Sequence, residues 1–308
     1  MEQLKLRSRP AMEAPSLVLA FTGWMDGGHV STGTVEHFRR ELAAIKIGEI
    51  DPNDFQVLHL PILSGPVTLV ADGEVATVRA VSGMEQAGLL RPHCAIQNGL
   101  VRQLSFSKNE LYAAPEDNLL LFSGEEPHLH WRQFADCLLE VVETFGVRTI
   151  VFVGSVAAAV PHTREPRAHA SVSRPELRAR MSSLNVSFSD YEGPAGFVTY
   201  LITRASERNA DMYSLVVDIP HYPLLEIPTY TPSLVRGISV ASQLLGIRVD
   251  TSGLQETAQA IRTRLKELMG ENEEFRELVR KLEEAYDAEA KAADDEIMRR
   301  LIDGIDPV

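Results

Sequence analysis

The chain has 308 residues, 44% of them hydrophobic and 24% charged, enough to bury a full core in one large domain with an appendage. Its net charge of −13 repels phosphate backbones, and no cluster of Lys and Arg offsets that, so nucleic acid is excluded as a partner. Two cysteines, Cys94 and Cys137, outside any C-x-x-C spacing, argue against a disulfide scaffold or a zinc site; with no 18-residue uncharged apolar run and no apolar stretch behind the charges of Met1 to Pro10, the expectation is a cytoplasmic protein without membrane contact.

From the N-terminus, Ser16 to Phe21 is a short apolar run that stops at Thr22-Gly23. From Gly28 to Ala44, apolar positions then recur at helical spacing through Val30, Thr34, Val35, Phe38 and Leu42. Phe55 to Leu60 reads as a second strand, and Val67 to Val81 as a hairpin turning at Ala71-Asp-Gly-Glu74. Between 84 and 112, Gly, Pro, Gln and Asn interrupt every apolar run, so loops with minor strands are expected there. Asn118 to Phe122 is a buried strand, Leu129 to Phe145 an amphipathic helix, and Thr149 to Val153 another wholly apolar strand. Together they form one βαβ unit and call for a parallel or mixed sheet. Helices follow around Pro175 to Leu184, Gly196 to Asn209 and Ser233 to Leu245, with a strand from Tyr213 to Ile219. The pattern predicts an α/β protein with helices on both faces of its sheet.

Past Thr251 the composition turns to Glu, Lys, Arg, Ala and Leu. Leu254, Ala258, Ile261, Leu265 and Leu268 are spaced alternately four and three, which makes a helical seam. Gly270-Glu-Asn-Glu273 interrupts it, and Phe275, Val279, Leu282 and Tyr286 resume it. A helical hairpin and one long kinked helix both satisfy this spacing. Residues 251–308 hold fifteen Asp and Glu against nine Lys and Arg, as expected of a solvated helical extension to an α/β domain of residues 1–250, packed on that domain or on a partner.

The loops carry the candidate chemistry. In Gly23-Trp-Met-Asp-Gly-Gly28, glycines permit close backbone approach beside a helix N-terminus, but neither G-x-G-x-x-G nor a Walker lysine is present. Asp26 there suits either a ligand or an N-cap, and Trp24 either a ligand or the core. Glu125, Glu126 and Pro127 suit the start of the helix that follows them. His128 and His130, two apart, do not share a helix face, and no metal is expected. Phe152 to Val160 runs from a strand into a small-residue loop ending in His162, Thr163 and Arg164. A neutral imidazole beside a permanent cation at a sheet edge suits a carboxylate or phosphate; Arg164 suits equally an ion pair with Glu165 or Glu192. If Tyr191-Glu-Gly-Pro-Ala-Gly196 and Asp218-Ile-Pro-His-Tyr-Pro223 reach the same edge, the candidate pocket comprises Trp24, Asp26, His162, Arg164, Glu192 and His221, with Asp218 nearby. No serine occupies a G-x-S-x-G elbow, and neither a catalytic residue nor a cofactor is assigned.

Phe21-Thr-Gly-Trp-Met-Asp26, Leu121-Phe-Ser-Gly-Glu-Glu-Pro127 with Trp131 and Phe134, Val160-Pro-His-Thr-Arg164, Tyr191-Glu-Gly-Pro-Ala-Gly196 and Ile219-Pro-His-Tyr-Pro223 occur in the order seen in the proteasome assembly chaperone family, second subtype. The likeness covers roughly residues 15 to 246, and the helical tail resembles the extension of actinobacterial members. The resemblance implies a three-layer α/β/α domain similar to the purine nucleoside phosphorylase or hydrolase type. It also implies a homo-oligomer, with a trimer as one form, and, in eukaryotic and archaeal relatives, binding to proteasome α-subunits rather than catalysis. Two stretches depart from the pattern. Gly154-Ser-Val-Ala-Ala-Ala159 has fewer glycines than bacterial relatives, and Ile305-Asp-Pro-Val308 lacks the hydrophobic-Tyr ending of archaeal chaperones, so docking into a proteasome through these last residues is not expected. The expectation is a non-enzymatic, self-associating, assembly-chaperone-like protein with a protein partner. The alternative is a small-molecule hydrolase, phosphorylase or sensor using the candidate pocket.

Overall fold

A computed structural model describes residues 2–58, 67–71, 74–78, 92–188, 190–222 and 227–303. The strands are β1 Leu4–Leu6, β2 Ser16–Thr22, β3 Ile45–Ile50, β4 Val67–Ala71, β5 Glu74–Val78, β6 His93–Gln97, β7 Leu100–Ser105, β8 Asn109–Ala114, β9 Leu119–Glu125, β10 Thr149–Ala158, β11 Ala168–Val172, β12 Ser187–Phe188 and β13 Asp211–Pro220. The helices are α1 Val30–Glu41, α2 Trp131–Phe145, α3 Arg178–Ser182, α4 Phe197–Glu207, α5 Thr231–Leu245, α6 Ser252–Glu271 and α7 Glu273–Asp303. One mixed sheet runs β1-β3-β8-β9-β2-β10-β13-β11-β12, with β9, β2, β10 and β13 parallel at its centre.

Those central strands are covered on both faces, which is why their sequences read as unbroken apolar runs. Alternation along β2 sends Leu17, Leu19 and Phe21 into one cluster with α2 and α4, and Val18 and Ala20 into another with α1 and α5. Three layers result. On the α2–α4 side Phe21 sits 5.5 Å from Phe122, 6.2 Å from Phe134, 6.1 Å from Phe152 and 5.5 Å from Phe197, ring centre to ring centre. Tilted and edge-on contacts of this kind add to plain area burial.

No strand forms at Phe55 to Leu60 over the described part: a turn at residues 53–55 runs into irregular backbone at 56–58, and residues 59–60 lie outside the described residues. Phe55 N–H donates to Pro52 O, and Phe55 O accepts from the N–H groups of His128 and Leu129. Its ring is buried against Phe134, 4.9 Å away. A strand lies earlier, at β3. Lys46 and Glu49 hide it in the sequence, and Lys46 Nζ bonds Glu110 of neighbouring β8 at 2.8 Å. The hairpin expected at Val67 to Val81 is present as β4 paired with β5, with residues 72–73 and 79–81 outside the described residues. Of the stretch expected as loops with minor strands, 84–91 lies outside them too. The rest is more ordered than expected: β6 and β7 form a hairpin, and β8 joins the main sheet between β3 and β9. Asn109 disguises that last strand; it is buried, and its Oδ1 accepts from Glu125 N–H at 3.0 Å.

Downstream, α6 and α7 are separated by Asn272 alone, whose backbone is extended. Its Oδ1 accepts from Phe275 N–H at 3.0 Å, capping α7, while Arg276 donates to the carbonyls of Met269 and Gly270 at the end of α6. Arg262 of α6 and Tyr286 of α7 both reach Glu165, so the helices fold back on each other as a hairpin. Leu265 of α6 joins the core cluster of α1 and α5.

Phe134→Ala should lower the unfolding free energy by about 3–5 kcal/mol, read from the midpoint and slope of chemical denaturation. A loss below about 1 kcal/mol would mean that the aromatic cluster repacks around the gap.

Candidate functional site

The C-terminal ends of β2, β9, β10 and β13 bring four of the motif loops to one edge of the sheet, and the fifth, Tyr191 to Gly196, reaches it as the entry to α4. Asp26 is placed there by a β-bridge to Ser155. Ser155 N–H donates to Met25 O at 2.9 Å and Ser155 Oγ to Gly27 O at 2.6 Å. Gly28 takes the left-handed conformation, with φ +55°, and a Cβ on it would fall 2.8 Å from Tyr230 Cβ, so this turn requires glycine. The Asp26 carboxylate is spent locally: Oδ1 accepts from Thr32 N–H at 3.0 Å and Oδ2 from Thr32 Oγ1 at 2.8 Å, in the first turn of α1. Burial raises its pKa, and the bonds from Thr32 oppose that rise. Of its two readings, Asp26 takes the capping one. Trp24 is 64% exposed, so its ring is not part of the core.

Glu126 does something the sequence did not signal. It was expected to serve the helix that follows it. Instead Oε1 accepts from Phe197 N–H at 2.8 Å, capping α4, and Oε2 accepts from Trp24 N–H at 3.3 Å. A Cβ on Gly23 or Gly196 would fall 3.0 and 3.1 Å from this side chain. The α2 helix begins at Trp131, later than expected, and Trp131 Nε1 donates to Pro127 O at 2.6 Å.

His162 is 2% exposed. Its N–H donates to Tyr222 Oη at 2.6 Å, and Nδ1 lies 2.7 Å from the same hydroxyl. One hydroxyl can accept the first and donate the second when Nδ1 is unprotonated. Nε2 has no partner among the described residues. The ring stacks on Phe275 of α7, 6.1 Å between centres and 8° from parallel. Burial pushes this imidazole down to about 4, against a weaker pull from Glu283. Beside it, Arg164 forms a two-pronged pair with Asp287, Nε to Oδ1 at 2.9 Å and Nη2 to Oδ2 at 2.7 Å, and a third bond to Glu283 at 3.0 Å. Its partners are therefore in the tail, and neither Glu165 nor Glu192 is among them. Thr163 donates to Glu283 as well. Arg167 donates to Glu289 and to Tyr286 O, with its guanidinium 3.7 Å from the Tyr286 ring centre.

Trp24 and Asp26 thus share the turn held by Glu126 and Ser155, while His162 and Arg164 lie under α7. His221 is exposed, its Nδ1 3.3 Å from Ala158 O. Glu192 is exposed and forms no ion pair among the described residues. Asp218 turns to His169, Nε2 to Oδ2 at 3.1 Å. Glu126, which the sequence assigns to the following helix, and Tyr222 hold these loops together; a carboxylate flanked by glycines that are distant in sequence gives no local signal of that role. A separate cleft of about 300 Å³ is lined by Lys5, Lys46 and Glu110. Both lysines there already pair with carboxylates, Lys5 with Asp51 and Lys46 with Glu49 and Glu110.

The sequence matches the profile of the PAC2 family over residues 20–269. No curated protein matches it. Among solved structures, a Corynebacterium glutamicum protein superposes with a TM-score of 0.73 at 19% identity, over 94% of this chain and 99% of the other. A Mycobacterium tuberculosis proteasome-assembly chaperone homologue gives 0.69 at 22%, over 86% and 99%. The Pyrococcus furiosus archaeal proteasome activator PbaB gives 0.58 at 20%, over 86% and 97%. These likenesses establish a shared fold. Among the described residues, no helix is long and apolar enough to cross a membrane.

Between pH 6.5 and 4 the unfolded chain takes up a proton at His162 that the folded chain refuses, so acidification removes stability. The difference in unfolding free energy between the wild type and His162→Gln should shrink by about 3 kcal/mol from pH 7 to pH 4; a constant difference would contradict the burial. Arg164→Ala should speed hydrogen exchange in residues 273–289 severalfold, and added salt should do the same to the wild type. Unchanged exchange in both would show that the charges do not hold α7 down.

Proposed function

This chain belongs to the PAC2 family, and on that premise we propose that it is a self-associating, protein-binding protein of the assembly-chaperone type, with no metabolite turned over in the pocket around His162 and Arg164. The observation that carries this reading is the β6–β7 hairpin. Ile96 is 64% exposed, Leu100 57%, Val101 65% and Leu104 56%. Ile96 pairs with Val101 and Cys94 with Leu104, across a register shift that lets Val101 and Leu104 share a face. A two-stranded hairpin is marginal alone in water, and a contiguous apolar face of this kind marks a contact surface.

A second copy of the chain is the occupant we assign to that face. Between His93 and Ser105 the only Lys, Arg, Asp or Glu is Arg102, so two chains of net charge −13 can meet there with little repulsion. A homo-oligomer, with a trimer as the form the family resemblance suggests, follows from this reading. The pocket is a weak alternative because Arg164 is committed to Glu283 and Asp287 and the His162 ring to Phe275. The M. tuberculosis homologue and the P. furiosus activator, described as a proteasome-assembly chaperone homologue and a proteasome activator, support a further protein partner. We place the protein in the cytoplasm, where its free Cys94 and Cys137 would stay reduced.

Native mass spectrometry tests the proposal. The wild type should be oligomeric, and Ile96→Lys combined with Val101→Lys should give monomers with an unchanged far-UV spectrum. A monomeric wild type that turns over a small metabolite would overturn it.

A further inference from the structure

Toward the β12 margin of the sheet, beside the motif run that opens at Asp218, a second polar constellation is assembled. The register of β11 on β12 sets His169 directly opposite Ser187, and Ser187 Oγ lies 2.8 Å from His169 Nδ1. His169 pairs across to Val216 of β13, two positions from Asp218, so Asp218 projects from the same face. His169 Nε2 lies 3.1 Å from Asp218 Oδ2. One protonation pattern satisfies the whole chain: neutral His169 donates Nε2–H to the carboxylate and accepts the Ser187 hydroxyl proton at Nδ1.

Asp218 is built in. Its N–H donates to Arg167 O at 3.0 Å, and its carbonyl accepts from Ser233 Oγ at 2.7 Å. The residue is 7% exposed, and among the described residues its carboxylate has no Lys or Arg partner, only His169. Held in this way, Asp218 fixes the His169 ring with Nδ1 turned to Ser187. Nucleophile, base and a third group orienting the base are the arrangement of an activated hydroxyl, here with the two imidazole nitrogens in exchanged roles. Ser187 Oγ also lies 3.4 Å from Ala168 O, a longer contact than the one to His169. Ser187 is exposed. It belongs to the two-residue last strand of the sheet, paired on one side only, to β11.

The geometry points to Ser187 as an acyl-acceptor nucleophile, taking small, non-anionic, activated carboxylic esters. Small follows from its open position at the sheet margin, and non-anionic from the net charge of −13 together with the adjacent carboxylate. In the step, Oγ bonds to the carbonyl carbon while its proton passes to His169 Nδ1. The carbonyl–oxygen bond to the leaving alcohol then breaks, the imidazolium returns the proton to that alcohol, and the acyl group stays on Ser187. This site goes beyond the protein-binding role and does not depend on it.

The test is to incubate the full chain with an alkyl fluorophosphonate, which replaces fluoride by serine oxygen at phosphorus, and separately with p-nitrophenyl acetate. Intact mass should show one adduct from each, and peptide mapping should place it on Ser187. Ser187→Ala should abolish it. His169→Gln should slow labelling by at least about 100-fold, and Asp218→Asn should also slow it, in variants whose thermal unfolding stays cooperative. No adduct, an adduct at another residue, or labelling of His169→Gln at the wild-type rate would overturn the assignment.

Discussion

The arrangement of the sheet edge depends on the Glu126 carboxylate. It accepts the N–H of Trp24 and the N–H of Phe197, and so joins the turn after β2, the turn after β9 and the entry to α4 at one point. Each of those N–H groups would otherwise be left at a loop end or an open helix terminus. Gly23 and Gly196 both pack against it, and a Cβ on either would press on this side chain at 3.0 and 3.1 Å. A second junction does the same for the other two loops, where the Tyr222 hydroxyl takes both the backbone and the ring of His162. The five motifs that look like a ligand pocket in sequence are largely the two halves of these internal joints.

With the loops fixed in this way, the 160–167 segment presents a cationic face, and the tail supplies the anions. Two kinds of force act there, and their sizes differ. The pairs of Arg164 with Asp287 and Arg167 with Glu289 are largely solvated, and such pairs contribute little once salt and side-chain entropy are counted. Burial of apolar side chains contributes about 1.5–3 kcal/mol for each fully covered one, and Leu265 and Val279 are buried where the hairpin docks. The apolar seam therefore supplies most of the docking free energy. The charges fix which residue of α7 lies over which residue of the loop, because a guanidinium that donates two parallel bonds accepts only one register.

The central strands, the helices of both faces and the amphipathic tail were legible because each has a local signature: continuous apolar runs, a 3.6-residue period and a four-three seam. Three features were hidden for three different reasons. The β3 strand carries Lys46 and Glu49, whose partners lie on another strand and on each other, so its charges read as loop. The β8 strand opens on Asn109, a buried polar residue whose Oδ1 accepts a backbone N–H sixteen residues away. The turn at 53–55 ends on Phe55, a buried aromatic that local pattern assigns to a strand. The site was legible in its residues and not in its partners. Asp26, His162 and Arg164 were visible as polar groups at a strand end. That they meet Thr32, Tyr222 and Asp287 depends on contacts up to 123 residues apart, which no spacing rule carries. His169 and Ser187 were invisible for the same reason, since one lies on a strand the sequence reading missed and the other on a strand of two residues.

Charge distribution links the tail to the contact surface. A chain of net charge −13 resists association when its anions are spread evenly over the surface. Here Glu283, Asp287 and Glu289 of α7 lie against Arg164 and Arg167, and Glu165 lies against Arg262, so the folded tail neutralises part of its own field. At physiological ionic strength an exposed charge is felt over about 8 Å. A hairpin whose one Lys, Arg, Asp or Glu between His93 and Ser105 is Arg102 is then governed by its apolar surface. Undocking the tail would leave Arg164, Arg167 and the carboxylates of α7 unpaired and would bare Phe275 and the His162 ring.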